Sequence, residues 1–320
     1  MDNKNFQAYF DCGSSKIRAG AFNKDKIKEI FYEESKFFSN HSNIVFEIQK
    51  IISSLEKKTN EYLDDVTLMI DSPKTLSIGF SISKKLDGSK LKHEDIRFLI
   101  QDAKQQVLKS YADKNITHIV IKNYKIDSVD YTFLPHNIKC NLISLDIFFI
   151  CLPKETIEYF KNTFFELDIS VNQIFCTSYA KSINYKDHLS SEENVAFIDV
   201  GFNKTSITCY FNNEISFFDI LPIGANHITK DISKILMINL EQAENIKLHF
   251  DTDQNLLKEK KFSSDLVQQI IFARTEEILE LSSRSIKLNL NLAELSQFKM
   301  VFMGEGSKIL DKKFKEKISF

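Results

Sequence analysis

The chain is short of most features that announce a function. It has only five cysteines, at 12, 140, 151, 176 and 209, and no two form a C-x-x-C pair. Most of them sit inside apolar runs, so the sequence supports neither a zinc site nor a disulfide framework and fits a reducing cytoplasm. The net charge of −2 offers no electrostatic case for nucleic acid as a partner. No apolar run reaches the length of a membrane span. The longest, 143–152, is interrupted by Ser144 and Asp146 and reads as a core strand. The first residues, Met1, Asp2, Asn3, Lys4 and Asn5, carry no apolar segment of a signal peptide. Proline and glycine are scarce, at four and eight residues, which makes the placing of each glycine informative.

What is present begins with size. A length of 320 residues is comfortable for two domains, and 43% hydrophobic content is enough for a substantial core. Lysines alternate with acids at 24–29 and 258–261, as on a solvated surface.

The most informative feature is a repeat. Residues 9–30 and 197–218 align without a gap at a spacing of 188 residues, the distance from Asp11 to Asp199. The first copy reads Tyr9-Phe10-Asp11-Cys12-Gly13-Ser14-Ser15-Lys16, and the second Phe197-Ile198-Asp199-Val200-Gly201-Phe202-Asn203-Lys204. Apolar stretches follow at 17–22 and 207–211, then at 27–31 and 215–220 after a short polar turn. An apolar strand ending in Asp, a tight turn at Gly and a returning strand describe a hairpin built around an anion. Gly allows the turn, and its successive N–H groups can cradle phosphate. Asp at the strand end suits Mg²⁺ held through water. One such hairpin means little. Two in frame predict a clamp on a nucleotide polyphosphate.

Around the repeats, Ile44, Ile48, Ile51, Ile52 and Leu55 space a helix, and 66–70 reads as a short buried strand closed by Asp71-Ser72-Pro73. Residues 75–163 read as an α+β insert. Strands are expected at 76–83, 116–121, 129–134 and 143–151, a turn at Asp87-Gly88, and a helix on Ile96, Leu99, Ile100, Ala103 and Val107. Pro153 opens a further helix through Ile157, Phe160 and Phe164. After the second hairpin, Pro222-Ile223-Gly224 leads into a helix on Ile228, Ile232, Ile235 and Leu236. Asn239 is placed to cap the next helix, with Gln242 at its third position. A longer helix follows Ser263-Ser264, and a last strand at 299–303 ends in Gly304-Glu305-Gly306-Ser307. Six of the eight glycines (13, 20, 201, 224, 304 and 306) fall in or beside these turns. The third turn starts a helix whose backbone suits an adenosine and its α-phosphate. Glu244 and Lys247 share a helix face, placed for a ribose or adenine or else for a surface salt bridge.

These segments carry a resemblance. Asp11-x-Gly13-Ser14-Ser15-Lys16, Asp199-x-Gly201-x-x-Lys204-Thr205, Gly224 with Ile228-Thr229-x-Asp231-Ile232, Ala243-Glu244-x-Ile246-Lys247 and Gly304-x-Gly306-Ser307 resemble the nucleotide-binding motifs of the actin/Hsp70/sugar-kinase superfamily. Within it the chain resembles the bacterial cell-division protein FtsA. Thr117-His118-Ile119, Tyr124, Asp127 and Pro135 are similar to that family's extra subdomain, as is the point of its insertion.

The resemblance implies an α/β fold: two actin-like (ribonuclease H-like) lobes around a nucleotide cleft, with an FtsA-type α+β insert in the first lobe. The expected division is 1–74, 164–191 (first lobe, 1A), 75–163 (insert, 1C), 192–235 (second lobe, 2A), 236–297 (its helical subdomain, 2B) and 298–320 (2A, end). It implies ATP and Mg²⁺ as cofactors. Gly13, Ser14, Ser15, Lys16, Gly201, Asn203, Lys204, Thr205 and Gly224 are then the phosphate-binding residues. Glu244, Lys247, Gly304, Glu305, Gly306 and Ser307 are adenosine-binding, and Asp11 and Asp199 hold Mg²⁺ through water.

Phe202, Asn203 and Ser206 depart from the family's second phosphate turn, which is richer in glycine and carries an acid after its threonines. Glu305 likewise replaces a small residue. No residue stands out as a general base, so binding and assembly are expected over turnover, with at most weak ATPase activity.

The function implied is an ATP-binding actin-like division protein that polymerises and tethers the FtsZ ring to the cytoplasmic membrane at the septum. FtsZ's C-terminal tail is the expected partner at Arg274, Arg284 and Lys287, with self-association in filaments and other division proteins at the insert. The expected location is the cytoplasm, peripheral on the inner face of the membrane at the division site. Relatives continue past the third turn to an amphipathic membrane helix. This chain stops at Phe320, and 311–317 lacks a wide apolar face, so a membrane contact is expected only of residues beyond 320. A PilM-like scaffold of type IV pilus assembly shares the expected fold. A sugar-kinase-type phosphotransferase would need an acid beside the substrate hydroxyl, for which Asp71 and Asp231 are the candidates.

Overall fold

The computed structural model describes residues 6–24, 28–36, 44–135, 138–189, 191–249, 262–291 and 295–309. They divide into two compact units, one of Met1–Ser35 with Asn43–Ala180, the other of Lys36–Ser42 with Lys181–Phe320. Ile27 of the expected third apolar stretch, the lysine block at 258–261, the first five residues and the segment 311–317 lie outside the described residues.

The first unit contains two sheets. One has five strands in the order β3-β2-β1-β4-β9: β1 (Phe6–Cys12), β2 (Lys16–Asn23), β3 (Glu29–Lys36), β4 (Asp65–Ile70) and β9 (Ser170–Cys176). Helix α1 (Ile44–Thr59) buries Ile48, Ile51, Ile52 and Leu55, the stripe that its apolar spacing sets out. β4 runs parallel to both neighbours, β1 and β9.

The other sheet is antiparallel in the order β5-β8-β6-β7, from β5 (Leu76–Lys85), β6 (Lys114–Ile126), β7 (Val129–Tyr131) and β8 (Leu142–Pro153). Helix α2 (His93–Ser110) packs Ile96, Leu99, Ala103 and Val107 against Ile143, Leu145, Ile147 and Phe149. The β6–β7 turn places Asp127 and Ser128 at positive φ. The Asp127 carboxylate accepts the backbone N–H groups of Asn141 and Leu142, each at 2.9 Å. Asp87 and Gly88 form the expected left-handed turn, at φ 47° and 82°. Two boundaries differ from expectation. β6 extends past 121 because register shifts after Ile116 and Ile121 keep it paired with β8. β7 ends at Tyr131 rather than 134, and Phe133 is exposed there. Helix α3 (Lys154–Phe165) starts directly after Pro153, as the proline requires. Helix α4 (Thr177–His188) spans the change from one unit to the other.

The second unit repeats the first sheet's plan in four strands, β12-β11-β10-β13: β10 (Val195–Val200), β11 (Thr205–Phe211), β12 (Glu214–Leu221) and β13 (Lys299–Met303). Every residue of β10 is buried, which explains its unbroken apolar run up to Asp199. Asn212 and Asn213, both at positive φ, turn β11 into β12. Among the described residues three helices follow: α5 (Ala225–Leu236), α6 (Leu240–His249) and α7 (Ser264–Leu290). Asn239 Oδ1 accepts the Gln242 N–H at 2.8 Å, the expected cap of α6. Ile278 and Ile286 of α7 pack on Ile207, Cys209 and Phe217, whereas Val267, Ile270 and Ile271 pack on Ile228, Ile232, Ala243 and Ile246 of α5 and α6. One long helix therefore serves two cores.

Candidate functional site

The two hairpins match residue for residue. Asp11 stands opposite Arg18 and Cys12 opposite Ile17 in the first, and Asp199 opposite Ser206 and Val200 opposite Thr205 in the second. In both, the glycine N–H closes the turn on the lysine carbonyl at 2.9 Å, Gly13 on Lys16 and Gly201 on Lys204. A Cβ on either glycine would meet that carbonyl at 3.0 Å. On the other flank, Asp11 pairs with Met69 of β4 and Asp199 with Met303 of β13. The spacing of 188 residues is thus a structural repeat as well as a sequence one.

The surroundings differ between copies. In the first unit a ladder of charge crosses three strands. Arg18 Nη1 lies 3.3 Å from Asp11 Oδ2, Arg18 Nε 2.9 Å from Glu34 Oε2, and Lys16 Nζ 3.0 Å from Glu34 Oε1. Against the cost of burial, the hydrogen bonds from Lys16 and Arg18 hold the Glu34 carboxyl below its ordinary range. Asp11 Oδ1 accepts the Thr177 hydroxyl at 3.3 Å. Lys16 therefore already has an anionic partner within its own unit, and Ser14 and Ser15 flank it at the turn.

The second turn is built into the helix that follows it. The N–H of Ala225 donates to the Gly201 carbonyl at 3.0 Å and that of Asn226 to the Phe202 carbonyl at 2.7 Å. Asn226 Nδ2 donates to Asn203 Oδ1 at 2.8 Å. Gly224 sits so close to this turn that a Cβ would lie 2.6 Å from the Gly201 carbonyl oxygen and 2.7 Å from the Lys204 nitrogen. Its own N–H donates to the His227 ring. Thr205, expected at the phosphate, is fully buried, and its hydroxyl donates to the Ile223 carbonyl at 2.8 Å. Its place is behind the turn, where a strand residue opposite Val200 must point inward.

Asp199 is 7% exposed. Lys181 Nζ, from α4, lies 3.3 Å from its Oδ2. Its Oδ1 faces Gly304, where a Cβ would stand 2.2 Å away. Gly304 has φ +82°, and Gly306 packs on Val200, so both glycines of the third turn let the chain pass directly over the end of β10. Glu305 opens a short 3₁₀ helix (Glu305–Ile309), and Ser307 donates from its hydroxyl back to the Gly304 carbonyl at 2.7 Å.

Glu244 and Lys247 are not a surface pair. They are 8% and 7% exposed, with Lys247 Nζ 2.6 Å from Glu244 Oε2. Lys247 also donates to Thr229 Oγ1 at 2.9 Å and to the Ala225 carbonyl at 3.2 Å, and Thr229 donates to Glu244. Burial pulls the Lys247 ammonium below its ordinary pKa, opposed by Glu244. The pair ties α6 to the first turn of α5 and so to the glycine turn.

On α7, Arg274 is bound at both arms to Asp231 of α5 (Nε to Oδ2 2.7 Å, Nη2 to Oδ1 3.1 Å), whereas Arg284 and Lys287 are exposed. Asp71 accepts from the Ser178 N–H at 3.1 Å and hydroxyl at 2.5 Å and from the Cys176 thiol. Neither Asp71 nor Asp231 is a bare carboxylate. Sequence reading missed Arg18, Glu34, Thr177 and Lys181, whose partners lie on other strands or helices. The one available signal was Arg18 falling two residues after Lys16 in the same strand.

Each of the two aspartates expected at a hydrated Mg²⁺ is paired with a side-chain cation, Asp11 with Arg18 and Asp199 with Lys181, and no group of three or more His, Cys, Asp or Glu side chains converges among the described residues.

The sequence profile of the family described as "Cell division protein FtsA" matches residues 196–296, which hold the second hairpin and the helices α5 to α7. The chain is similar to cell division protein FtsA of Agrobacterium fabrum, 21% identical over 252 residues, covering 73% of this chain and 56% of the relative. It is 26% identical to that of Helicobacter pylori over 138 residues, 43% of the chain and 28% of the relative. To that of Neisseria meningitidis serogroup B it is 23% identical over 293 residues, 84% and 70%. The match thus spans about half the length, or less, of several of these relatives. Among solved structures, the PilM-PilN type IV pilus biogenesis complex superposes with TM-score 0.67 at 10% identity, over 97% of this chain and 85% of that one. MreB 5 of Spiroplasma citri bound to AMPPNP superposes with TM-score 0.51 at 10% identity, over 98% and 90%. These likenesses show the fold, an α/β architecture of the actin-like kind.

Proposed function

We propose that this chain, which resembles FtsA in sequence and the actin-like proteins in fold, is a nucleotide-binding scaffold of cell division. The observation that carries the reading is the pair of hairpins with one register and one glycine turn, the second of them inside the segment matched by the FtsA profile. In this reading the glycine turn of each unit, Gly13–Lys16 in the first and Gly201–Lys204 in the second, is a phosphate-binding element, and α6 with the Gly304–Ser307 turn is the adenosine-binding element of the second. Binding favours one conformation for assembly with further copies of the chain, a shift of population rather than turnover. Asp71 and Asp231 have the partners described above, so the phosphotransferase reading gains nothing from them.

The partner in this reading is the C-terminal tail of FtsZ, met on α7 by Arg284 and Lys287, the two exposed basic positions of the expected three. The insert around β5 to β8 takes other division proteins. Attachment to the membrane surface, and location at the division site, belong to this reading through the family. Among the described residues no helix is long and apolar enough to cross a membrane.

The test is fluorescence anisotropy of a labelled FtsZ tail peptide titrated with the chain, with and without ATP. Saturable binding, weakened several-fold by Arg284→Ala or Lys287→Ala, is the expected result. The likeness to the PilM-PilN complex favours a second reading, a scaffold of pilus assembly. A folded sample that ignores the FtsZ tail but binds an N-terminal peptide of a pilus protein would establish that one instead.

A further inference from the structure

The core under α2 is left open at one side. Leu145, Ile147 and Phe149 of β8 are buried there, whereas their partners Ile82, Phe80 and Ile78 on β5 face the same core and remain half-buried. β5 ends the sheet order, so no further strand among the described residues closes that side. Its backbone is open as well. Lys85 stands opposite Leu142, and the next N–H, of Leu86, donates to the Asn141 carbonyl at 2.7 Å. That pattern marks a non-hydrogen-bonded pair. The pairing has no register shift, so the ladder bonds to β8 fall on the even-numbered residues of β5. The N–H and C=O groups of Gly79, Ser81 and Ser83 therefore point outward from the sheet.

Sheet edges are ordinarily guarded by short length, bulges, proline or charge. β7 has three residues and β13 five, β9 and β12 each pair with a neighbour through a register shift, and β3 carries Glu29, Glu33, Glu34 and Lys36. β5 runs for ten residues and from Leu76 to Ser83 has none of these guards. Lys84 is engaged elsewhere: its Nζ lies 2.7 Å from Asp95 Oδ1 and 4.8 Å from the centre of the Phe98 ring, both on α2.

We infer that β5 pairs with β5 of a second copy, antiparallel about a two-fold axis at Phe80, and so joins two four-stranded sheets into one of eight. The strand's own sequence selects this partner. Centred on Phe80, the pairing sets Phe80 against its counterpart and Ile78 against Ile82, an apolar match on the core side. On the other side Gly79 meets Ser81, and even a Cβ at Gly79 would have nothing within 4 Å. Lys84 falls opposite Leu76 and Lys85 opposite Thr75, so the two basic ends lie apart, whereas a parallel copy in register would set lysine against lysine. The contact uses one edge twice and closes at a dimer. It does not depend on nucleotide.

The test is sedimentation velocity of the full chain, without nucleotide, at concentrations up to about 100 μM, where any tighter dimer is populated. The wild type should dimerise. Gly79→Pro removes an outward N–H and no bond to β8, and should weaken the dimer at least tenfold while its thermal melt shows a folded chain. Gly79→Ala should dimerise as the wild type does. Cross-linking answers the question should the proline variant fail to fold. All five native cysteines are buried, so Phe80→Cys supplies the accessible thiol. At the two-fold axis its Cα lies about 4.5 Å from its counterpart, within reach of a disulfide. Mild oxidation should link Phe80→Cys to itself, but not Ser83→Cys, whose counterpart is Ser77. A wild type that stays monomeric leaves the edge to a strand of another protein and overturns the inference. Assembly that survives a folded Gly79→Pro, or equal linking of the two cysteine variants, also overturns it.

Discussion

Gly304 lies directly against the Asp199 carboxylate: a Cβ added to it would stand 2.2 Å from Oδ1, and the residue's φ of +82° belongs to the left-handed region. Either feature alone disfavours a side chain, and the backbone of Val200, 2.6 Å from the same point, leaves the clash no outlet. Gly304→Ala should therefore destabilise the protein by about 2–4 kcal/mol. Gly79 provides the control. It lies on β5 with nothing within 4 Å of the added atom, and Gly79→Ala should be neutral or stabilising by up to about 1 kcal/mol. Urea denaturation of the two variants reads both numbers, and equal effects would refute the packing argument.

Lys247 and Glu244 make a buried pair whose loss should be unequal. Lys247→Met leaves Glu244 buried without its cation and should cost about 3 kcal/mol or more, with Glu244→Gln milder because its amide still meets Thr229. The double variant Lys247→Met with Glu244→Leu should recover much of the loss. A double variant as unstable as the sum of the singles would show that the charges are not the cause.

Arg274 is committed to Asp231, whereas Arg284 is exposed on the same helix. Arg274→Ala should lower stability by roughly 1–2 kcal/mol, since a bidentate pair is the strong kind of surface bond. Arg284→Ala should change stability by less than about 0.5 kcal/mol. Thermal melts separate them. A loss of peptide binding in Arg274→Ala is interpretable only beside this number.

His118 gives a pH signature. Burial lowers its pKa to about 4 from 6.5, with Asp71 opposing, and its Nε2 accepts the Cys176 N–H at 2.8 Å. The folded state thus holds a neutral ring that the unfolded chain protonates more readily. Stability is complete above pH 6.5 and falls as pH drops from there to about 4, by at most roughly 3 kcal/mol. His118→Gln keeps an acceptor for the Cys176 N–H and removes the titration, so its stability should be flatter across that window. Denaturation curves between pH 7 and 4 decide it.

The repeat was legible because it is local. An Asp, a Gly two residues on and a returning strand are fixed by turn geometry, and the register followed with no slip between β1 and β2 or between β10 and β11. The stripes of α1 and α2, the α6 cap and the limits of β13 were legible for the same reason. The charges were not. Arg18 reaches Glu34 across sixteen residues, Lys181 reaches Asp199 across eighteen and Thr177 reaches Asp11 across 166, so no spacing rule joins them. Glu244 and Lys247 showed their shared face but not their burial, which α5 imposes by folding over them. Thr205 showed its place in the motif but not its burial, because a motif names residues without saying which way a strand turns them.

The contacts at the start of α5 have a mechanical meaning. The Gly201 and Phe202 carbonyls hold its first N–H groups, Lys247 of α6 grips its Ala225 carbonyl, and Arg274 of α7 grips its Asp231. The turn is therefore the short arm of a lever whose long arm is the helical part of the unit. A displacement of the loop at Phe202 therefore bears first on α5 and, through the Lys247 and Arg274 contacts, on α6 and α7.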